Sequence, residues 1–499
     1  MVRIYQIHDD DNVGVVLEPI GAGAEFSIGG VRGMARQAIP AGHKIALAAI
    51  PAGAALIKYG WPIGRATADI APGDWVHSHN LVTGIEGLLE YTYSPQPRRT
   101  PETGAAPAPE FLGFRRADGR VGVRNELWIV PTVGCVAQLA RRLAELASAR
   151  LVIGTVEGVF AFPHTYGCSQ LGDDLRHTQR ALAGLIRHPN AGGVLLLGLG
   201  CENNSIERQL EVCGRIDPQR VKFLAAQNAS DETQEAMRLL EELAGYAAGF
   251  RRAPCPASAL VLGMKCGGSD GFSGITANPL VGRISDMAAA WGASVLLTEV
   301  PEMFGAEQIL MNRARDRATF EAVVSLVNGF KQYFLSHGQP VDENPAPGNR
   351  QGGITTLEEK SLGCIEKGGQ ATVEAVLDYG RPPSGPGLAL VNAPGNDGVS
   401  STALVIAGAA LVLFTTGRGT PLGTPAPTLK ISTNSALAQW KRNWIDFDAG
   451  RLLSQNADPK ALAQELLQLT LDTASGLYRA RNETNGMRDI AIFKTGVTV

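Results

Sequence analysis

A chain of 499 residues is longer than one ordinary hydrophobic core organises, so two to four domains are expected. With 44% hydrophobic residues, 19% charged residues and a net charge of -3, the composition is that of a soluble globular protein. It lacks the basic excess of a nucleic-acid binder, and no apolar run reaches the roughly 18 residues of a membrane span.

The first nine residues turn acidic at once and carry no secretory apolar region, which places the chain in the cytoplasm. Residues 1–92 read as a small β domain, with short strands at 13–17, 25–28, 44–48, 55–59 and 75–77. Pro40-Ala41-Gly42, Pro51-Ala52-Gly53 and Pro72-Gly73-Asp74 punctuate them. Three segments here have chemical capacity: Gly42-His43-Lys44, Lys58-Tyr59-Gly60 and His77-Ser78-His79-Asn80. Residues i and i+2 of a strand share a face, so His77 and His79 can reach one divalent metal, and Asn80 can orient a ligand from the next turn. Two imidazoles leave such a site incomplete, and His43, another domain or a bound substrate must supply the rest. A plain pair of surface histidines fits the same pattern.

Residues 93–110, with Ser94-Pro95-Gln96-Pro97, Thr100-Pro101 and Pro107-Ala108-Pro109, read as a semi-extended, exposed linker. From 111 to 256 the patterns alternate, with strands expected at 126–133, 151–156 and 194–199 and helices at 136–148, 172–187, 206–214 and 232–248. That is the α/β signature, with a mostly parallel sheet. Cys135, Cys168 and Cys201 each fall at a loop tip on one edge of this sheet, where their convergence is geometrically reasonable. Buried, inert thiols are the commoner fate of single cysteines. The chain has seven cysteines and no Cys-x-x-Cys pair, which argues against a disulfide framework.

From 257 to 499 the α/β pattern resumes, and its first loop is the densest in chemistry. Met264-Lys265-Cys266-Gly267-Gly268-Ser269-Asp270-Gly271-Phe272-Ser273-Gly274-Ile275-Thr276-Ala277-Asn278 follows an apolar strand at 259–263 and precedes a helix at 279–291. Its glycines allow close backbone approach, and Lys265, Asp270, Thr276 and Asn278 offer charge and hydrogen bonds suited to a small, anionic, hydroxyl-rich molecule. An ordinary Gly/Ser turn has the same look. Further strands are expected at 295–300, carrying Glu299, at 388–392 and at 411–414, with a glycine- and proline-rich loop over 343–353. Arg418, in Gly417-Arg418-Gly419-Thr420 after the last of these strands, is a natural two-point clamp for a carboxylate; a structural ion pair is the alternative.

These motifs, in this order, resemble the altronate dehydratase and galactarate dehydratase family. The resemblance runs over nearly the whole chain. It rests on Gly42-His43-Lys44, Lys58-Tyr59-Gly60, His77-Ser78-His79-Asn80, Asp118-Gly119-Arg120-Val121-Gly122-Val123-Arg124-Asn125, Gly200-Cys201-Glu202-Asn203-Asn204, Lys265 to Asn278 and Gly417-Arg418-Gly419-Thr420. It implies a β-clip domain of the SAF type at 1–92, then two α/β domains at 111–256 and 257–499 with mostly parallel sheets. It also implies a divalent metal, Fe2+ with Mn2+ as substitute, and dehydration of a sugar acid, with D-altronate first. Galactarate, other aldonates and aldarates, and (2R)-sulfolactate stand behind it. On this reading His77 and His79 hold the metal, His43 and Lys265 are catalytic, and Lys58, Asp270, Thr276, Asn278 and Arg418 bind substrate. An iron-sulfur cluster on Cys135, Cys168, Cys201, Cys266 or Cys364 ranks lower, because the spacing matches no standard cluster run. A non-catalytic sugar-acid binder is the rival outside the enzymes. Nucleic acid and membrane are not expected as partners, and a homo-oligomer is compatible with the sequence.

Overall fold

Alternating strands and helices close into two sheets that are parallel throughout, joined to a small antiparallel domain. The computed structural model describes residues 3–28, 30–85, 87–96 and 108–496. In the N-terminal block, Ile4–Tyr5, Val13–Val16, Lys44–Ala46 and Trp75–Val76 form one antiparallel sheet, and Ala55–Lys58, Trp61–Ala66 and Leu81–Val82 another. Val16, Phe26, Ile39 and Ile45 make a small private core. Val13, Ala46, Leu56, Ile63 and Val76 instead merge with the core of the last block, so this domain is docked through apolar burial. The start of the linker is also anchored: Tyr91 Oη donates to Glu307 Oε1 at 2.5 Å, and Gln96 N–H donates to the Asn312 carbonyl at 2.8 Å. Residues 97–107 of that linker lie outside the described residues.

The second block holds β1 (Glu126–Pro131), β2 (Val159–Ala161), β3 (Ala191–Gly198) and β4 (Val221–Ala225), in sheet order β2-β1-β3-β4. Side chains alternate across a strand. Leu127 and Ile129 therefore pack under helices Ala137–Leu151 and Glu232–Ala247. Trp128 and Val130 face helix Gly172–Arg187 and a core shared with the third block. The strand expected at 151–156 is absent. Ala140, Leu143, Ala147 and Leu151 form a helical stripe that carries the first helix on to Leu151, and the strand falls later, at β2. β4 was too short and mixed to be read from sequence.

The third block is a seven-stranded sheet: β5 (Val261–Cys266), β6 (Ser294–Leu297), β7 (Val373–Leu377), β8 (Gly387–Val391), β9 (Leu411–Thr416), β10 (Thr428–Ser432) and β11 (Phe447–Asp448). Their order is β7-β8-β6-β5-β9-β10-β11. β5 runs three residues beyond its expected end, so Lys265 and Cys266 belong to the strand. The chain proceeds from β5 outward to one side and returns at β9 on the other, which makes the β5/β9 junction the switch point where open α/β sheets bind ligands. Helix α1 (Ala277–Ala290) follows the loop after β5, and α2 (Leu357–Ile365) lies beneath the N-terminal domain. Among the described residues no helix is long and apolar enough to cross a membrane.

Candidate active site

Two of the polar motifs leave the sheet side by side at this junction. Gly267 N–H donates to the Thr415 carbonyl at 3.0 Å, and the N–H groups of Gly417 and Arg418 reach the Gly268 carbonyl at 3.1 and 3.0 Å. A third motif arrives from the N-terminal domain. A Cβ on Gly271 would lie 1.9 Å from the Gly42 carbonyl oxygen, and one on Gly353 would lie 2.3 Å from the same atom. Only glycine lets three backbones meet this closely.

The histidines gather at that meeting. His43 and His77 stack with ring centroids 5.0 Å apart, and Trp75 lies 5.3 Å from both His77 and His79. His43 Nε2 donates to the Gln351 carbonyl at 3.1 Å while its Nδ1 accepts the Trp75 indole N–H at 3.2 Å. His77 Nε2 donates to the Arg350 carbonyl at 2.9 Å, and its Nδ1 lies 3.0 Å from Ser78 Oγ. Burial holds His43 at about 4, against the opposing pull of the Gln351 carbonyl, and it lowers His77 as well. Both imidazoles are therefore neutral and fully hydrogen-bonded. Asn80 caps the same turn, its Oδ1 accepting from His77 N–H at 2.9 Å.

Arg418 stands at the edge of this group. It is exposed, its Nη2 reaches Gln351 Oε1 at 3.4 Å, and among the described residues no carboxylate pairs with it. The other expected binding groups are engaged inside the protein. Asp270 accepts from Thr433 Oγ1 at 2.9 Å, Ser273 Oγ at 3.1 Å and Phe272 N–H at 3.1 Å, and burial raises it to about 6. Thr276 Oγ1 lies 2.8 Å from the Thr433 carbonyl; Asn278 accepts from Thr415 Oγ1 at 2.6 Å and donates to the Gly363 carbonyl at 2.8 Å. These three brace the loop. The cavity among Lys58, Asp270, Asn278 and Cys364 is about 10 Å³, room for one water.

Two lysines expected to face substrate are saturated by carboxylates. Lys58 and Lys44 both hold Glu359, at 2.8 and 2.7 Å, in a buried triad tying the N-terminal domain to α2. Burial alone would raise Glu359, but the two ammonium groups hold it down to about 2. Lys265 is buried against Glu299 and also pairs with Asp397 at 2.7 Å. Lys367 joins Glu299 at 3.2 Å, and Lys360 joins Glu302 at 2.9 Å. Cys364 Sγ donates to Glu302 Oε2 at 3.0 Å and Cys266 Sγ lies 2.7 Å from Ser269 Oγ. The two thiols influence each other's protonation: the neighbouring Cys364 holds Cys266 well down, and the neighbouring Cys266 with burial holds Cys364 well up. Sequence reading missed the structural part of Glu359 and Lys367, because a Glu358-Glu359-Lys360 run on a short helix ordinarily faces water. All nine residues of α2 are buried.

Fold and motifs together define an α/β protein with a cluster of polar and histidine side chains at the switch point of a parallel sheet, against a small β domain. Family models match it end to end: the altronate/galactarate dehydratase SAF domain at 2–84, the D-galactarate dehydratase/altronate hydrolase second domain at 113–248, and the D-galactarate/altronate dehydratase C-terminal region at 257–498. The chain is 51% identical over 500 residues to altronate dehydratase of Escherichia coli (strain K12) and 48% identical over 504 residues to that of Bacillus subtilis (strain 168), with all of both chains covered in each case. It is 32% identical over 512 residues to galactarate dehydratase (L-threo-forming) of Escherichia coli (strain K12), covering 98% of this chain and 96% of that one. The chain belongs to the D-galactarate/altronate dehydratase family, and it is a hydro-lyase.

Proposed function

We propose that this enzyme converts D-altronate to 2-keto-3-deoxy-D-gluconate and water. The observation that carries the reading is Arg418: an exposed guanidinium with no carboxylate partner among the described residues, at the switch point and beside neutral histidines, in a chain similar over its full length to altronate dehydratases. Arg418 grips the substrate carboxylate through two parallel hydrogen bonds. A base takes the C2 proton, the C–H pair forms the C2–C3 double bond, and the C3–O bond breaks. The departing hydroxide takes a proton and leaves as water, and the enol tautomerises to the 2-keto acid. His43 Nδ1 is our choice of base, since a neutral imidazole accepts a proton at neutral pH once the Trp75 N–H turns away. Lys265 acts through the carboxylates it fixes, Glu299 and Asp397. Lys58 acts through Glu359, and Asp270, Thr276 and Asn278 through the loop they brace. All seven cysteines are free, as a reducing cytoplasm keeps them.

Fe2+, with Mn2+ as substitute, is the metal this reading takes from the family resemblance, and such an ion would polarise the carboxylate and hydroxyl. The histidines as placed do not fit it. Both ring nitrogens of His43 and of His77 are hydrogen-bonded, and among the described residues no three His, Cys, Asp or Glu are grouped to hold a metal ion. Ligation by His77 and His79 therefore requires His77 to leave Arg350 or Ser78. The test is a 2-keto-acid assay over D-altronate, galactarate and (2R)-sulfolactate with Fe2+ or Mn2+ added. Altronate is expected to give the highest kcat/KM, and no keto acid from it would sink the proposal.

A further inference from the structure

Across the switch point three side chains stand in one row. Lys265 on β5 is in register with Phe414 on β9, and Phe414 with Lys430 on β10, so all three project from the same face of the sheet. Both ammonium groups lie over the Phe414 ring, at 5.7 Å for Lys265 and 5.0 Å for Lys430. They differ in what neutralises them. Lys265 has Glu299 and Asp397. Lys430 is 1% exposed, and among the described residues no carboxylate pairs with its ammonium. Its Nζ donates instead to two neutral acceptors, the Thr420 carbonyl at 3.3 Å and the Leu422 carbonyl. The Asp446 carboxylate is occupied elsewhere: it accepts the Lys430 backbone N–H at 2.7 Å, the Tyr478 hydroxyl at 2.8 Å and the Arg481 N–H at 2.9 Å.

A buried ammonium without a counter-ion is costly, so packing alone does not account for a lysine here. What the ammonium touches is the loop that carries Arg418, since Thr420 lies just beyond Arg418 and Gly419. On the other side of Arg418 the Gly268 carbonyl holds the Gly417 and Arg418 N–H groups, and the Gly417 carbonyl accepts from Asn434 Nδ2 at 3.0 Å. The Arg418 side chain is exposed, so its direction is set by a backbone pinned on both sides.

We propose that Lys430 is a positioning residue: its ammonium holds the Thr420 and Leu422 carbonyls and so fixes the loop that presents Arg418. Its effect on turnover rests on the reading of Arg418 as the carboxylate clamp. Burial lowers this ammonium to about 8, against the opposing pull of Asp446 and Asp397. Those two carboxylates, and Lys265 across the Phe414 ring, are the charged groups that face it. Above that pH the amine is neutral. It still carries N–H groups, but neutral donors make weaker hydrogen bonds than ionised ones, and the hold on the two carbonyls slackens.

The experiment uses the full chain and two readouts. Hydrogen–deuterium exchange without substrate reports the protection of the Gly417, Arg418, Gly419 and Leu422 amides, corrected for the base catalysis of exchange itself. Lys430→Met should lower that protection about tenfold, and wild type should lose it as pH rises from about 7 to about 9. The wild-type series needs no variant and decides the question even where Lys430→Met does not fold. Kinetics on D-altronate supply the second readout. Lys430→Met should raise KM about tenfold at nearly unchanged kcat, whereas a merely structural loss removes active enzyme and lowers kcat at unchanged KM. In wild type KM should rise as pH passes about 8; in the variant it should be high and flat. Adding Arg418→Lys to Lys430→Met should raise KM by less than the two single effects combined, since both act on one clamp. Exchange that responds while no altronate is turned over keeps Lys430 as the anchor and removes the altronate reading alone. Protection unchanged in the variant and across the pH series, or a lower kcat at unchanged KM, would overturn the proposal.

Discussion

At the residue scale the functional reading turns on Arg418 and His43. Arg418→Lys keeps the charge but loses the planar fork, so a charge-assisted hydrogen bond of about 1.5 to 3 kcal/mol is lost with it. The expected result is a fall in kcat/KM on D-altronate of about one to two orders of magnitude. Wild-type kcat/KM would move the clamp elsewhere and leave Gly417 to Thr420 as a structural turn. His43 makes a second prediction, in pH. A base must be neutral to act, and burial holds this imidazole at about 4, below the 6.5 of a solvated histidine. The acid limb of kcat/KM should therefore fall near pH 4, with activity lost below it. An acid limb well above pH 4 would rule out His43 as the base.

At the element scale, the decisive piece is α2, which presents Glu359 to two lysines of the N-terminal domain. Glu359→Gln leaves both ammonium groups buried without a counter-ion, at a cost of about 3 to 5 kcal/mol. Chemical denaturation should show that loss, together with separation of the N-terminal domain before the remainder unfolds. The pH dependence has a fixed sign. The Glu359 carboxyl is depressed from 4.5 to about 2 in the folded protein, so its contribution is present above pH 4.5 and is lost as pH falls through about 2. A melting temperature of wild type that stays flat over this window would show that the triad contributes nothing net. Glu358 adds to the same docking by accepting from Thr83 Oγ1 at 2.9 Å and Gly84 N–H at 2.6 Å.

At the scale of the whole molecule, the N-terminal domain shares the core of the third block and, in the proposed reading, supplies the histidines of the site. Excising residues 1–92 should leave the two parallel sheets folded, since each has its own helices and apolar layers. It should also remove His43, His77 and His79 and uncover the apolar surface that Val13, Ala46, Leu56 and Ile63 now cover. Native-like far-ultraviolet circular dichroism, increased binding of an apolar dye and no turnover of D-altronate are expected. Turnover by the truncated protein would show that the chemistry needs no residue of that domain.

The sequence by itself determined the strand-helix alternation, the helix at 172–187 to the residue, and the loops where chemistry collects, because hydrophobic period and glycine placement are local signals. It also carried the family, since many motifs recur in one order. The strand at 151–156 failed because three apolar residues at a helix end look like a strand until the helix's own stripe is seen packed. What each charged residue does was decided only in three dimensions. Lys58 and Lys265 carry the same charge as Arg418, yet the fold brings buried carboxylates to the first two and, among the described residues, none to the third. The partners are hundreds of positions away in the chain: Glu359 for Lys58, and Arg350 for His77. An ion pair or a docked histidine is a property of two distant segments meeting in a low-dielectric interior, and no local pattern encodes that meeting.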